Sequence, residues 1–296
     1  MLLAEIYREL DAKDFKILSL FEKLLSKYEY IPIELIEKKI NLPPKELALR
    51  LKKLHKLKLI KRSLTPFHGY RLTYLGLDCI ALRSLVSKNV IAYLGDKIGM
   101  GKESEIYIAK DSNGNLLAVK FYKIGRISFQ KVARVRSYLV DEPNWMIRSM
   151  VAAEREYKAL IDLMNYTPYV PKVRGWSKHA VVINFIEGIE LYRYKDARDP
   201  KGMLKKILHA LRSAFLNVGI VHGDLSEYNV LVEVKDEEET PYIIDWPQYV
   251  YRDDPTHEAL LKRDVDYIVR FFNRKYRLDI DVSKALSYVM GKIDDI

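Results

Sequence analysis

The segment from Gly219 to Asp245, opening with GIVHGDLSEYNVLVEV and ending with YIID, constrains this chain more tightly than any other. An acidic turn, DEEE at 236–239, separates two apolar runs, so the segment reads as a β-hairpin with a polar loop at its open end. His222, Gly223 and Asp224 lie in that loop, Asn229 follows Asp224 by five residues at the entry to the first strand, and Asp245 ends the second. Asp224 offers a carboxylate within reach of an attacking hydroxyl or water. Asn229 offers an amide oxygen to Mg2+, and Asp245 a carboxylate for a cation that bridges phosphates. Any single Asp at a strand end is more often a turn cap. The residues upstream decide against that reading.

In DKIGMGKESEIYIAKDSNGNLLAVKFYK, Gly99 and Gly101 stand between an apolar segment and the strand Ile106, Tyr107, Ile108, and Asn113-Gly114 is a hairpin turn signal. Glycines there let backbone N–H groups approach phosphates with no Cβ in the way. Such turns are common. They gain weight from Lys120, set among apolar residues in AVKFY, where a charge needs a partner. Protein kinases place a lysine on the equivalent strand, against the α- and β-phosphates and a carboxylate of the next helix. The helix expected from about Trp145 to Met164 supplies Glu154 and Glu156. Two residues apart, they point in different directions, and periodicity does not choose between them. Kinases tend to carry an apolar residue four positions after this Glu, and Leu160 stands four after Glu156, which selects Glu156. Glycine loop, lysine, glutamate, Asp224 with Asn229, and Asp245 thus occur in kinase order.

Residues 14 to 75 read differently. Phe15, Leu18, Phe21, Leu24 and Leu25 recur at helical spacing, Pro32 opens a short second helix (PIELIEKKI), and KELALRLKKLHKL sets Leu47, Leu51, Leu54 and Leu57 on one face. LIKRSL and GYRLTYLG then read as two strands around a tip holding Thr65, Pro66 and Gly69. Three helices followed by a β-hairpin match the winged-helix family over roughly the first 85 residues. Lys45, Arg50, Lys52, Lys53, Lys56, Lys58, Lys61 and Arg62 crowd the third helix and the start of the wing, against Glu46 alone. Such cations position a protein on phosphates without reading sequence. No Asn or Gln between Asn41 and Asn89 is there to read base edges, which favours structured RNA or non-specific binding over operator recognition.

The net charge of +10 agrees with a polyanionic partner. The single cysteine, Cys79, excludes a disulfide within one chain and suits a reducing compartment. MLLAEIYREL has no signal-peptide core, and AVVINFI at 180–186 is too short to span a membrane and reads as a buried strand, so a cytoplasmic location is expected. Leu75 to about Tyr93 reads as a connecting helix and linker with no flexible tether, which predicts that the flanking domains pack together.

Taken together, GMGKESEIY, AVKFY, HGDLSEYN and IDWPQ resemble the RIO kinases, an atypical protein-kinase family, and the N-terminal winged helix is similar to its second subfamily. The resemblance covers essentially the whole chain. It implies an α+β fold: a winged helix-turn-helix over 1–84, a linker over 85–95, and a truncated bilobal kinase-like domain with lobes over 96–186 and 187–296. It implies ATP with Mg2+, or Mn2+ in its place, as cofactors. Gly99, Gly101, Lys102, Glu103 and Ser104 would cover the phosphates, Lys120 would pair with Glu156, Asp224 would be the catalytic aspartate, and Asn229 and Asp245 the metal ligands. Adenine would meet the hinge backbone at Asn184 and Ile186; the family's usual hinge Glu is Asn184 here. The basic loop GRISFQKVARVRSYL holds Ser128, the candidate for autophosphorylation, and its Arg126, Lys131, Arg134 and Arg136 suit RNA or the γ-phosphate. The implied partner is the precursor of the small ribosomal subunit with its rRNA, met through winged helix and basic loop, by a monomer. The phosphoryl acceptor would be serine, or Asp245 itself.

Trp246, Pro247 and Gln248 replace the Phe-Gly that usually follows the metal Asp, and about 50 residues remain. That predicts no activation segment and no peptide-docking lobe. Two alternatives stay open. Aminoglycoside and choline kinases share HGD…N and an Ile-Asp-Trp at the metal Asp, but carry a large C-terminal substrate domain. A winged-helix regulator with a nucleotide-sensing domain would not need every catalytic residue.

Overall fold

The computed structural model describes residues 2–101, 103–125 and 144–296, which form two compact units. The first takes in residues up to Glu154 together with Gly175–Val182, and the second takes in the rest.

The first unit begins with α1 (Leu3–Arg8), α2 (Ala12–Lys23), β1 (Ile31–Pro32), α3 (Ile33–Lys39), α4 (Pro44–Lys56), β2 (Ile60–Ser63) and β3 (Gly69–Leu72). Asp11 starts α2 by accepting the N–H groups of Lys13 and Asp14, while Asp14 accepts that of Asp11. Phe15, Leu18 and Phe21 are buried at the expected spacing; Leu24 and Leu25 lie beyond the helix and are half-buried. Leu47, Leu51 and Leu54 bury one face of α4. The hairpin is larger than expected: β1 pairs with β3, giving the order β1-β3-β2. GYRLTYLG is strand only to Leu72, because the Thr73 hydroxyl accepts the Gly76 N–H and caps α5 (Tyr74–Ser87).

Helix α5 is core, with Leu77, Cys79, Ala81, Leu82 and Leu85 buried. Residues 88–92, in the middle of the stretch read as linker, separate it from β4 (Tyr93–Met100). Strands β5 (Ser104–Lys110) and β6 (Leu116–Tyr122) follow, then α6 (Trp145–Leu163), through which the division between the units runs, then β7 (Val173–Ser177) and β8 (Ala180–Asn184). The sheet order is β4-β5-β6-β8-β7. Gly114, at φ 84°, makes the turn between β5 and β6. One apolar cluster runs from Leu3 and Leu18 through Leu77 and Leu85 to Leu117, Phe121 and Val182, so winged helix and sheet share a core, as the missing tether predicts.

In the second unit β9 (Gly188–Glu190) is followed by α7 (Pro200–Ser213), β10 (Ile220–Val221), β11 (Val230–Lys235), β12 (Glu238–Ile243), β13 (Val250–Tyr251), α8 (His257–Tyr276) and α9 (Val282–Val289). The hairpin read from sequence is β11–β12, turning at Asp236 and Glu237, both at positive φ, and β9 adds on the far side of β11. Helices α7, α8 and α9 bury Ile207, Leu208, Val265, Ile268, Val269, Phe272 and Val289. Among the described residues no helix is long and apolar enough to cross a membrane.

Candidate active site

In the first unit, register sets the glycine loop beside the lysine. Gly99 faces Ile106, and Ile106 faces Lys120, so the three form one row across β4, β5 and β6. Gly101 donates its N–H to the Ser104 carbonyl at 2.9 Å and closes a tight turn. Lys120 Nζ stands 4.6 Å from the centre of the Tyr122 ring on the same strand face. Lys102, Ser128 and the basic loop with Arg126, Lys131, Arg134 and Arg136 lie outside the described residues.

In the second unit, the hairpin brings together what the sequence spaces 16 residues apart. Val230 faces Ile243, and the Ile244 N–H donates to the Asn229 carbonyl at 2.9 Å, so Asn229 and Asp245 sit at the same end of the β11–β12 hairpin. Asp245 has φ 66°, a left-handed backbone that turns the chain out of the strand direction. The Asn229 amide donates through Nδ2 to the Asp224 carbonyl at 2.8 Å, which leaves Oδ1 for a cation. One carboxylate and one amide oxygen suit Mg2+, which keeps its other positions for water and substrate phosphates. Among the described residues no group of three or more His, Cys, Asp and Glu could hold a metal.

His222 is buried beneath the loop, with Nε2 at 3.1 Å from the Ile244 carbonyl and Nδ1 accepting the Asp224 N–H at 3.2 Å. These two contacts tie the loop to the hairpin end. Asp264, on the inner face of α8, accepts the Gly223 N–H at 2.7 Å and the Leu225 N–H at 3.2 Å; Arg263 donates to the Gly223 carbonyl. Burial pushes the Asp264 carboxyl up, against the pull of His222, Arg263 and the Gly223 N–H. Beyond Asp245, Trp246 is fully buried and Arg155 donates to the carbonyls of Pro247 and Tyr249. A buried Trp and an arginine clamp stand where a mobile activation segment would begin.

Residues 105–285 match the RIO domain family, and residues 7–88 match the Rio2 N-terminal family. The chain belongs to the RIO family. Among RIO relatives, it is 35% identical to the RIO-type serine/threonine-protein kinase Rio2 of Methanocaldococcus jannaschii, over 88% of this chain and 98% of that one. It is 34% identical to the serine/threonine-protein kinase RIO2 of Saccharomyces cerevisiae, over 92% of this chain and 66% of that one. The crystal structure of the Rio2 kinase–ADP/Mg2+–phosphoaspartate complex from Chaetomium thermophilum matches with a TM-score of 0.81 and 32% identity, covering 97% of this chain and 88% of that one. The chain is therefore an atypical kinase of the winged-helix-bearing RIO subfamily, and the α+β architecture read from the sequence holds.

Asn184 already donates its backbone N–H to the Lys172 carbonyl, and its side-chain oxygen accepts from Arg174, so its carbonyl is what it can offer adenine. Glu156 is buried and Glu154 half-buried, in keeping with side chains that leave α6 in different directions. Sequence reading missed Asp264 and Arg155. The available signal for Asp264 was a carboxylate at helical spacing among Leu261, Val265 and Ile268, all buried.

Proposed function

We propose that this RIO kinase transfers the γ-phosphoryl of ATP, with Mg2+, and acts in the cytoplasm on the precursor of the small ribosomal subunit. The observation that carries the reading is the shared hairpin end that places Asn229 and Asp245 together, with Asp224 tied to Asn229. Asp224 is the catalytic aspartate, its carboxylate orienting the attacking oxygen and taking its proton. Asn229 Oδ1 and the Asp245 carboxylate hold the cation, with Mn2+ able to replace Mg2+. When bound, the cation neutralises charge on the β- and γ-phosphates. Gly99, Gly101, Lys102, Glu103 and Ser104 cover the phosphates, Lys120 holds the α- and β-phosphates, and Glu156 orients Lys120. Its burial supports that role, since a buried carboxylate needs a cation. Ile186 N–H and the Asn184 carbonyl receive adenine.

The acceptor is serine, Ser128 in the chain's own loop included, or Asp245. In the second case an Asp245 oxygen bonds to the γ-phosphorus, the bond to the β-phosphate oxygen breaks, ADP leaves, and water later hydrolyses the acyl phosphate. The phosphoaspartate of the Chaetomium relative supports that route. The winged helix and basic loop hold the rRNA.

Incubation with γ-labelled ATP and Mg2+ tests the reading. Wild type yields label on Ser (stable to hydroxylamine), on Asp (released by it) or as free phosphate; Asp224→Ala loses turnover by about 100-fold or more. Undiminished turnover in Asp224→Ala would overturn the assignment.

A further inference from the structure

Helix α5 closes the winged-helix core, yet it carries a buried carboxylate that the winged helix does not use. Asp78 is 1% exposed, with Oδ2 2.7 Å from Lys123 Nζ and Oδ1 2.8 Å from His179 Nε2. Lys123 follows β6 directly and is itself buried; the same Nζ lies 2.7 Å from Glu105 Oε2. The other Glu105 oxygen is 3.5 Å from Lys97 Nζ, so two carboxylates meet two ammonium groups. His179 is wholly buried; burial holds its imidazole pKa down, and its Nδ1 has no partner among the described residues, which fits a neutral ring donating from Nε2.

What Lys123 holds is the exit of the phosphate loop. Its backbone N–H donates to the Glu103 carbonyl at 2.6 Å and its ammonium grips the Glu105 carboxylate, so the two contacts flank Ser104. One turn earlier on α5, the Tyr74 hydroxyl lies 2.7 Å from the Ile124 carbonyl and 2.9 Å from Ser149 Oγ, which accepts the Ile124 N–H. Two consecutive residues after β6 are thus fixed from α5. A buried ion cluster adds little net stability over well-packed apolar residues of similar volume, whereas it does fix geometry. A loop held in place before binding loses less freedom when the phosphates arrive.

We infer that Asp78 is a positioning residue for the triphosphate: through Lys123 it sets Glu103–Glu105, and with them the loop that covers the phosphates. The inference rests on the phosphate-covering role proposed for Gly99–Ser104.

Titration calorimetry on the full chain compares MgATP with adenosine, which carries no phosphates, for wild type, Asp78→Asn, and the apolar triple variant Asp78→Leu/Glu105→Leu/Lys123→Met. Asp78→Asn is expected to bind MgATP about ten-fold more weakly and adenosine unchanged. The triple variant, free of unpaired buried charge but with the His179 Nε2–H left without its acceptor, is expected to fold with a modestly lowered melting temperature and show the same split. Wild-type MgATP affinity in either variant, or equal weakening of MgATP and adenosine in Asp78→Asn, overturns the inference while leaving the proposed function intact. A wild-type chain that fails to bind MgATP overturns both.

Discussion

Gly223 and Gly219 separate two reasons for a glycine in the catalytic loop region. Both have left-handed φ, 79° and 78°. A Cβ on Gly219 would meet nothing within 4 Å, whereas one on Gly223 would stand 2.9 Å from the Gln248 carbonyl oxygen. Gly219→Ala should therefore lose only the conformational preference, about 1 kcal/mol, with turnover unchanged. Gly223→Ala must also move the peptide that Asp264 and Arg263 hold, and with it Asp224. A stability loss of about 3 kcal/mol and at least a ten-fold fall in ATP turnover are expected. Urea denaturation and steady-state kinetics on both variants check this, and equal behaviour of the two would show that the close approach is unimportant. The loop's chemistry was legible because His222, Asp224 and Asn229 are near neighbours in the chain. Its support was not: Asp264 comes 40 residues after Asp224, and nothing local says that a carboxylate on α8 will meet two loop N–H groups.

At the level of elements, the basic third helix of the winged helix divides its charge between two tasks. Arg50 Nη1 lies 2.8 Å from both Asp11 and Asp14, and Lys53 Nζ 2.6 Å from Asp14, whose side chain is fully buried. These two cations staple α4 to the start of α2. The periodicity of α4 shows which face is apolar, but not that two of the residues beside that face are bound inward, since Asp11 and Asp14 are more than 35 residues away. Helix α1 and strand β1 escaped the sequence reading because a six-residue helix and a two-residue strand give periodicity too little length to register. Arg50→Met strips a buried carboxylate of one of its two cations, and the full chain should lose about 3 kcal/mol in urea. Lys52→Met, two residues on and exposed, should stay within about 0.5 kcal/mol of wild type. Similar midpoints for the two variants would show that Arg50 is a surface charge like its neighbour.

For the whole molecule, the net charge of +10 overstates what α4 and the wing can offer a polyanion. With Arg50 and Lys53 already paired to Asp11 and Asp14, the remaining exposed set is Lys45, Lys52, Lys56, Lys58, Lys61 and Arg62, none of which makes an ion pair among the described residues. Each phosphate neutralised by such a cation releases condensed counterions, so the logarithm of affinity falls against the logarithm of salt by about 0.7 per contact for single strands and 0.9 for duplex. If this face carries the proposed rRNA contact, the double variant Lys52→Glu/Lys56→Glu should bind a small-subunit rRNA fragment more weakly and shed about 1.5 from the magnitude of the salt slope. Arg50→Met, which removes as real a charge from the same helix, should leave the slope where it was, because that charge is already paired with Asp11 and Asp14. Filter binding of the full chain from low to moderate salt reads both numbers. Equal slopes for wild type and the double variant would move the RNA contact off α4 and the wing, and a slope lowered by Arg50→Met would show that its pairing with Asp11 and Asp14 opens when RNA binds.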